Sequence, residues 1–162
     1  EATRAAFDEN GFFDTGDRVT VHDDGFISFA DRDKDMLKVG GENVAASEIE
    51  RVALQVAGVR EIAVVARADP MLDEVPVAFV LPDDPAAAAE PLARAVLAEC
   101  AARLADFKVP RAVYVVDSLA RSALETIAKA DLRRRLAEGL PPPAALRPAA
   151  AGGAKAGKGT SP

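Results

Sequence analysis

The residues best suited to chemistry lie in two short runs near the start of the chain. In the first, Asp17 follows a glycine, and Arg32 comes 15 residues later. The second contains Lys34 between two aspartates and ends in Gly40-Gly41-Glu42-Asn43. A carboxylate can accept hydrogen bonds from paired hydroxyls, and paired glycines permit positive φ. Taken singly, these features also fit a turn carboxylate, a surface arginine, a solvated charge cluster and a hairpin turn.

Together the two runs resemble the core signatures of the adenylate-forming enzymes, which include acyl-CoA synthetases, luciferases and peptide-synthetase adenylation domains. The resemblance implies activation of a carboxylate by ATP, followed by transfer to a thiol. It implies that Asp17 binds the ribose hydroxyls of ATP and that Arg32 is a second nucleotide contact. It also implies that Lys34 is the hinge about which a C-terminal domain swings between two poses.

The same resemblance implies a site for coenzyme A. Gly40 and Gly41 are expected to approach the pantetheine arm, and the Gly-Gly-Glu-Asn form favours acyl-CoA ligases over peptide-synthetase domains. The segment from Ala105 to Pro110 implies that Phe107 lies near the CoA nucleotide; the alternative is a core aromatic that closes a helix. Asp73-Glu74 and the apolar run after it are similar to the carnitine and crotonobetaine CoA ligase branch.

One position departs from the family pattern. An ungapped alignment from Leu119 to Leu132 puts Glu125 where the family has glycine and Thr126 where it has a lysine. In the family that lysine stabilises charge as the acyl-adenylate forms, which threonine cannot do. Lys129 is the nearby cation that could substitute in catalysis; the alternative is that it is the ordinary basic residue of the following helix.

Hydrophobic periodicity predicts a mixed unit after residue 34. Ser47 to Glu50 has the pattern of a capping box at the start of a helix, and Pro91 is expected to open a second helix. The remaining predicted elements are strands over 61–68, 75–81 and 113–116 and a helix over 129–136.

The predicted fold class is α+β, a small sheet with helices packed on it. The resemblance implies that this is a small C-terminal lid domain with a three-stranded sheet, helices and a β-hairpin, preceded by the last hairpin of a large N-terminal domain. The expected divisions are 1–33, the remnant of the large AMP-binding domain, and 34–136, the C-terminal domain. Residues 137–162 are expected to be a disordered tail rich in Pro, Ala and Gly.

Composition excludes some classes of function. The net charge is −6, and Arg147, Lys155 and Lys158 are the only charged residues after Gly139, so the acidic excess lies before them and disfavours nucleic acid. No apolar run approaches the roughly 20 residues of a membrane span. A single cysteine, Cys100, suits the cytoplasm, and His22 has no nucleophile in a recognisable arrangement.

The resemblance implies a fragment of an ATP-dependent acyl-CoA ligase that is inactive alone. ATP or AMP and coenzyme A are the implied substrates, and Mg²⁺ is expected in the parent enzyme, with no ligands for it in this chain. A separately encoded large AMP-binding domain is the expected partner. The alternative is a non-enzymatic remnant or interaction module that keeps the fold. The acyl substrate is not indicated.

Overall fold

The computed structural model describes five parts of the 162-residue chain: 7–13, 15, 17–32, 35–122 and 125–147. None of the helices in these parts is both long and apolar enough to cross a bilayer.

The first two strands form an antiparallel hairpin. Strand β1 (Asp17–Val21) pairs with β2 (Ile27–Arg32), and Asp17 lies opposite Arg32 in the ladder. The connecting turn is closed by the N–H of His22, which donates to the carbonyl of Phe26. The hairpin exposes several large apolar side chains, namely Val19, Val21, Phe26 and Ile27.

A second hairpin begins the larger sheet. Strand β3 (Met36–Val39) turns through two glycines into β4 (Glu42–Ala45), which leads directly into helix α1 (Ala46–Ala53). The long strands β5 (Val59–Asp69) and β6 (Asp73–Pro82) then pair antiparallel along their whole length.

A parallel crossover completes the sheet. Helix α2 (Ala89–Arg103) and a 3₁₀ turn (Asp106–Lys108) connect β6 to the parallel strand β7 (Ala112–Val115). The last strand is the short β8 (Ala145–Leu146), so the strand order is β4-β3-β6-β7-β8, and β5 also pairs with β6.

Both faces of the sheet are covered, because residues buried on β5 and β6 alternate between two apolar layers. Val64 and Val80 pack with Ile49 of α1 and Val96 of α2 on one face. The other face carries the layer of Ala63, Val65, Val77, Phe79, Ala112, Leu119 and Leu132. The last of these residues belongs to helix α3 (Lys129–Glu138).

The predicted α+β class is confirmed. The three predicted strands are present as β5, β6 and β7, with β6 paired to both of the others, and the predicted last helix is α3. The sheet is larger than the three strands expected, because β3 and β4 extend it on one side and β8 on the other.

The predicted start of the tail, residue 137, is too early, because ordered structure continues beyond it. Helix α3 runs to Glu138, and β8 (Ala145–Leu146) pairs antiparallel with β7. Ala145 is buried in the layer under α1 and α2, and Arg147 forms an ion pair with Asp106. A strand of two residues is too short to show apolar periodicity, so the sequence gives no signal for β8. The segment is ordered because it pairs with the edge of β7. The tail beyond 147 lies outside the described residues.

The predicted capping box is also wrong. Helix α1 begins at Ala46, and the N-cap is Ala45, which makes no side-chain cap hydrogen bond. Glu50 points instead to β5, where its Oε1 accepts a hydrogen bond from the N–H of Val64 at 2.7 Å. The glutamate of the predicted capping box therefore connects α1 to β5 and does not cap the helix.

We predict that β8 is needed for full stability. Ala145→Asp should lower the free energy of unfolding by about 2–3 kcal/mol, because it places a carboxylate in an apolar layer. Leu146→Asp is the matched control, since its side chain is 63% exposed and should change stability by about 0.5 kcal/mol or less. Urea unfolding measures both, and equal effects would contradict the docking of β8.

Candidate functional site

The double glycine forms the tip of the β3–β4 hairpin. Gly40 and Gly41 have φ of 59° and 87°, so both adopt the left-handed conformation that a type I′ turn requires. The N–H of Gly40 donates to the carbonyl of Leu72 at 2.8 Å, which fixes the turn against the β5–β6 connection. A Cβ built on Gly41 would meet no atom within 4 Å, so its backbone lies open to a ligand. The hairpin-turn interpretation is confirmed, and the contact with coenzyme A stays a prediction.

Phe107 lies at the surface in the 3₁₀ turn. Its side chain is 37% exposed, so the alternative of a core aromatic is wrong. The ammonium of Lys108 lies 5.8 Å from the centre of this ring and binds both carboxylate oxygens of Glu48, at 2.8 and 2.7 Å. The turn is therefore anchored to α1 and presents an aromatic face beside a fixed cation.

A tight loop holds the residues expected to serve adenylation. The N–H of Ser122 donates to the carbonyl of Thr126 at 2.7 Å, and the two side-chain hydroxyls are 2.9 Å apart. Arg121 fixes the loop by donating to the carbonyl of Glu125 at 3.0 Å and to Glu61 at 2.7 Å. The exposed residue at the expected lysine position is Thr126, so the loop is built without its cation.

The backbone at Glu125 supports the alignment that places glycine there. Its φ is 60°, in the left-handed region that glycine adopts freely and other residues adopt at a cost. A glycine-type conformation at this position agrees with the register in which Thr126 takes the place of the family lysine.

Lys129 lies at the start of α3 in a cluster of ion pairs. Its ammonium is 2.8 Å from Glu50 Oε1 and 4.0 Å from Asp35 Oδ2, and its side chain is only 16% exposed. Arg133, one turn later, donates to Asp35 at 2.7 Å. This geometry favours the structural interpretation of Lys129, because its charge is matched within the domain. The cluster leaves no signal in the sequence, because Asp35, Glu50 and Lys129 are distant along the chain.

The nucleotide contacts expected near the start of the chain are described by backbone only. Asp17 and Arg32 are cross-strand partners, so the ladder brings their Cα atoms together. Their side chains and Lys34 lie outside the described residues, and all three roles stay predictions.

Cys100 is not a candidate nucleophile. It is completely buried on α2, and burial, with a smaller effect of Glu99, raises the pKa of its thiol to about 11. The thiol is therefore protonated at neutral pH, as expected for a small buried hydrophobe. The described residues also contain no group of three or more His, Cys, Asp or Glu side chains that could hold a metal ion.

Comparison with known proteins defines the class. The model of the AMP-binding enzyme C-terminal domain matches residues 48–126. Pyochelin synthase PchD of Pseudomonas aeruginosa is 40% identical over 136 residues, which is 84% of this chain and 24% of that protein. The long-chain-fatty-acid–CoA ligase FadD13 of Mycobacterium tuberculosis is 38% identical over 141 residues, which is 87% of this chain and 27% of the ligase.

Solved structures agree. ATP-bound MatB from Rhodopseudomonas palustris superposes with a TM-score of 0.73 at 34% identity, covering 83% of this chain and 26% of that one. The anthranilate CoA ligase AuaEII in complex with anthranoyl-AMP gives 0.74 at 33% identity, covering 86% and 27%. The chain therefore belongs to the AMP-binding, or adenylate-forming, enzyme family, of which it carries the C-terminal domain. It spans about a quarter of the length of the curated relatives it matches. The expected closeness to the carnitine and crotonobetaine branch stays a prediction.

The strain at Glu125 leads to a prediction about stability. Glu125→Gly should raise the free energy of unfolding by about 1 kcal/mol, because it removes the cost of a left-handed φ. Glu125→Ala keeps the Cβ and should give no such gain. Urea unfolding compares the two variants, and a gain from alanine equal to that from glycine would show that the side chain, not φ, is responsible.

The ion-pair cluster leads to a second prediction. Lys129→Gln should lower the free energy of unfolding by about 1–3 kcal/mol, because Glu50 and Asp35 lose a partner in a half-buried position. Arg134→Gln on the same helix is the control: this arginine is 65% exposed and should matter by about 0.5 kcal/mol or less. Thermal unfolding at several salt concentrations measures the effect. An unchanged midpoint in Lys129→Gln would contradict the structural role.

Proposed function

We propose that the chain is the C-terminal part of an ATP-dependent acyl-CoA ligase. In the proposed reaction a carboxylate attacks the α-phosphate of ATP and pyrophosphate leaves. The thiol of coenzyme A then attacks the acyl carbon, losing its proton, and AMP leaves. The observation that carries the proposal is the similarity to the FadD13 ligase over 87% of this chain. ATP or AMP and coenzyme A are thus the proposed substrates, with Mg²⁺ as the metal of the complete enzyme.

The binding roles proposed for individual residues are as follows. The open turn at Gly40 and Gly41 supports a contact with the pantetheine arm, because a ligand can approach the backbone there without meeting a Cβ. Phe107, exposed beside a fixed ammonium, is the proposed contact for the CoA nucleotide. Asp17 and Arg32 are proposed to bind the nucleotide of ATP, and Lys34 is the proposed hinge.

The adenylation step is the weak part of the proposed cycle. Thr126 supplies no positive charge, and Arg121, the nearest arginine in the loop, already binds Glu61 and the carbonyl of Glu125. Lys129 could provide the cation only by leaving Glu50. We propose that the described chain, acting alone, forms no acyl-adenylate. Removing one preorganised contact of this kind costs about 10²–10³ in rate.

A large AMP-binding domain is the proposed partner, either in the same polypeptide or separately encoded. The hairpin β1–β2 exposes Val21, Phe26 and Ile27 by 65–72%. A two-stranded hairpin is marginally stable alone, so these side chains are the proposed contact surface. With one cysteine in the chain, which is buried and unpaired, a reducing compartment such as the cytoplasm is the proposed location.

A non-enzymatic interaction module is the second candidate function. It is favoured by one observation: the loop that the family uses for catalysis keeps its glycine-type conformation at residue 125 but has no lysine at residue 126. Such a module would keep the fold and the partner surface without either half-reaction.

Restoring the missing cation separates the two candidates. The chain is fused behind the large domain of a related acyl-CoA ligase, and Thr126→Lys is combined with Glu125→Gly. The double variant should raise ATP–pyrophosphate exchange by about 10²-fold. Transfer from a supplied acyl-adenylate to coenzyme A should change little. The control is Ala130→Lys combined with Glu125→Gly, which makes the same change in net charge but puts the lysine at an exposed position of α3.

The outcomes are distinct. No transfer to coenzyme A by the unmodified fusion would favour the interaction module. Adenylation abolished by Lys129→Gln at temperatures where that variant is folded would show that Lys129 is the catalytic lysine. The unfused chain should show no exchange above background with a panel of carboxylic acids, and clear exchange would contradict the proposal.

A further inference from the structure

A pocket of about 470 Å³ lies at the carboxyl end of β7, and its described lining includes none of the residues proposed to bind ATP or coenzyme A. Its walls come from the end of β7, the last turn of α3 and the chain that returns from α3 to β8. We call it the β7-end pocket and define it by Tyr114, Val116, Arg135, Leu140, Pro141 and Pro142. This volume falls in the range of ligand sites for small molecules.

The pocket arises from how the chain leaves α3. Gly139 has φ of 95°, which turns the backbone out of the helix. Three prolines follow and the chain returns to pair with β7 at Ala145. Proline has a fixed φ and no N–H to satisfy, so this wall is stiff and apolar. A stiff wall lowers the entropy cost of closing around a ligand.

The floor of the pocket is aromatic. Tyr114 stacks on Phe79 with ring centres 5.2 Å apart and an angle of 15° between the rings. Phe79 is completely buried, whereas Tyr114 is half-buried and lines the pocket with Val116 and Leu140. Such a floor suits a flat apolar group.

Three consecutive arginines on α3 differ in their ion pairing, and this difference indicates the charge of a ligand that would suit the pocket. Arg133 pairs with Asp35, and Arg134 pairs with Asp131. Arg135 is half-buried against the pocket, and no carboxylate among the described residues pairs with it. Since a partly desolvated guanidinium without a counter-charge is unfavourable, an anionic group bound there would gain a charge-assisted, bidentate contact.

A second charged group limits the choice of anion. Asp117 lies on the exposed rim of the same pocket. Its negative charge disfavours a ligand with two negative charges, while one carboxylate can still reach Arg135. We propose that the β7-end pocket binds a small monocarboxylate with an aromatic body, independently of the adenylate-forming reaction.

Titration of the full chain with 3-phenylpropanoate, followed by backbone amide NMR, tests this site. The shifts should centre on Tyr114, Val116 and Ala144 with a dissociation constant of about 1 mM. The neutral 3-phenylpropanamide has the same body and should bind about 10-fold more weakly, because it cannot pair with the guanidinium. The dianion 2-benzylmalonate should also bind more weakly.

Variants on α3 provide the second arm. Arg135→Gln should weaken 3-phenylpropanoate about 10-fold and leave the amide unchanged. Arg134→Gln, one residue earlier and directed at Asp131, should stay within about twofold of the unmodified chain. The amide spectrum of each variant reports its folding. The proposal would be overturned if 3-phenylpropanoate did not bind at 20 mM, which is ~20 times the expected dissociation constant. It would also be overturned if the acid and the amide bound equally, if the dianion bound more tightly, or if Arg135→Gln left the affinity unchanged.

Discussion

The burial of the β5–β6 pair on both faces is the constraint on which the rest of this domain depends. Alternate residues of these strands are completely or almost completely inaccessible, with Val64 and Val80 on one face and Val65 and Phe79 on the other. A sheet buried on both sides needs a cover on each. Helices α1 and α2 cover the first face, and α3 with the segment around Leu119 covers the second.

This arrangement separates the proposed activities. The turn at Gly40 is continuous with β4 and α1, whereas the loop at Thr126 leads into α3 on the opposite face. The ion pair between Glu50 and Lys129 joins the helices of the two faces around the edge of β5, where Glu50 also accepts the N–H of Val64. One carboxylate thus satisfies a free strand donor and links the two covers. Thr126 is exposed and lies outside both apolar layers.

The sequence predicted what depends on local pattern. Apolar runs rich in β-branched residues predicted β5, β6 and β7, and the paired glycines predicted a turn with positive φ. It could not predict contacts made across the fold: the Glu50–Lys129 pair, the Lys108–Glu48 pair and the docking of Ala145 on β7. Glu125 illustrates both cases. The alignment placed it where the family has glycine, but only the structure shows that this glutamate adopts the left-handed backbone conformation typical of glycine.

Native-state hydrogen exchange tests the central claim, that β5, β6 and the helices on both faces form one cooperative unit. In such a unit the slowest amides of β5, β6, α2 and α3 exchange with one free energy, equal to that of global unfolding in denaturant, while β1 and β2 exchange faster. If α3 opened at a distinctly lower free energy while β5 and β6 stayed protected, α3 would not belong to the cooperative unit and would not be needed to hold the sheet.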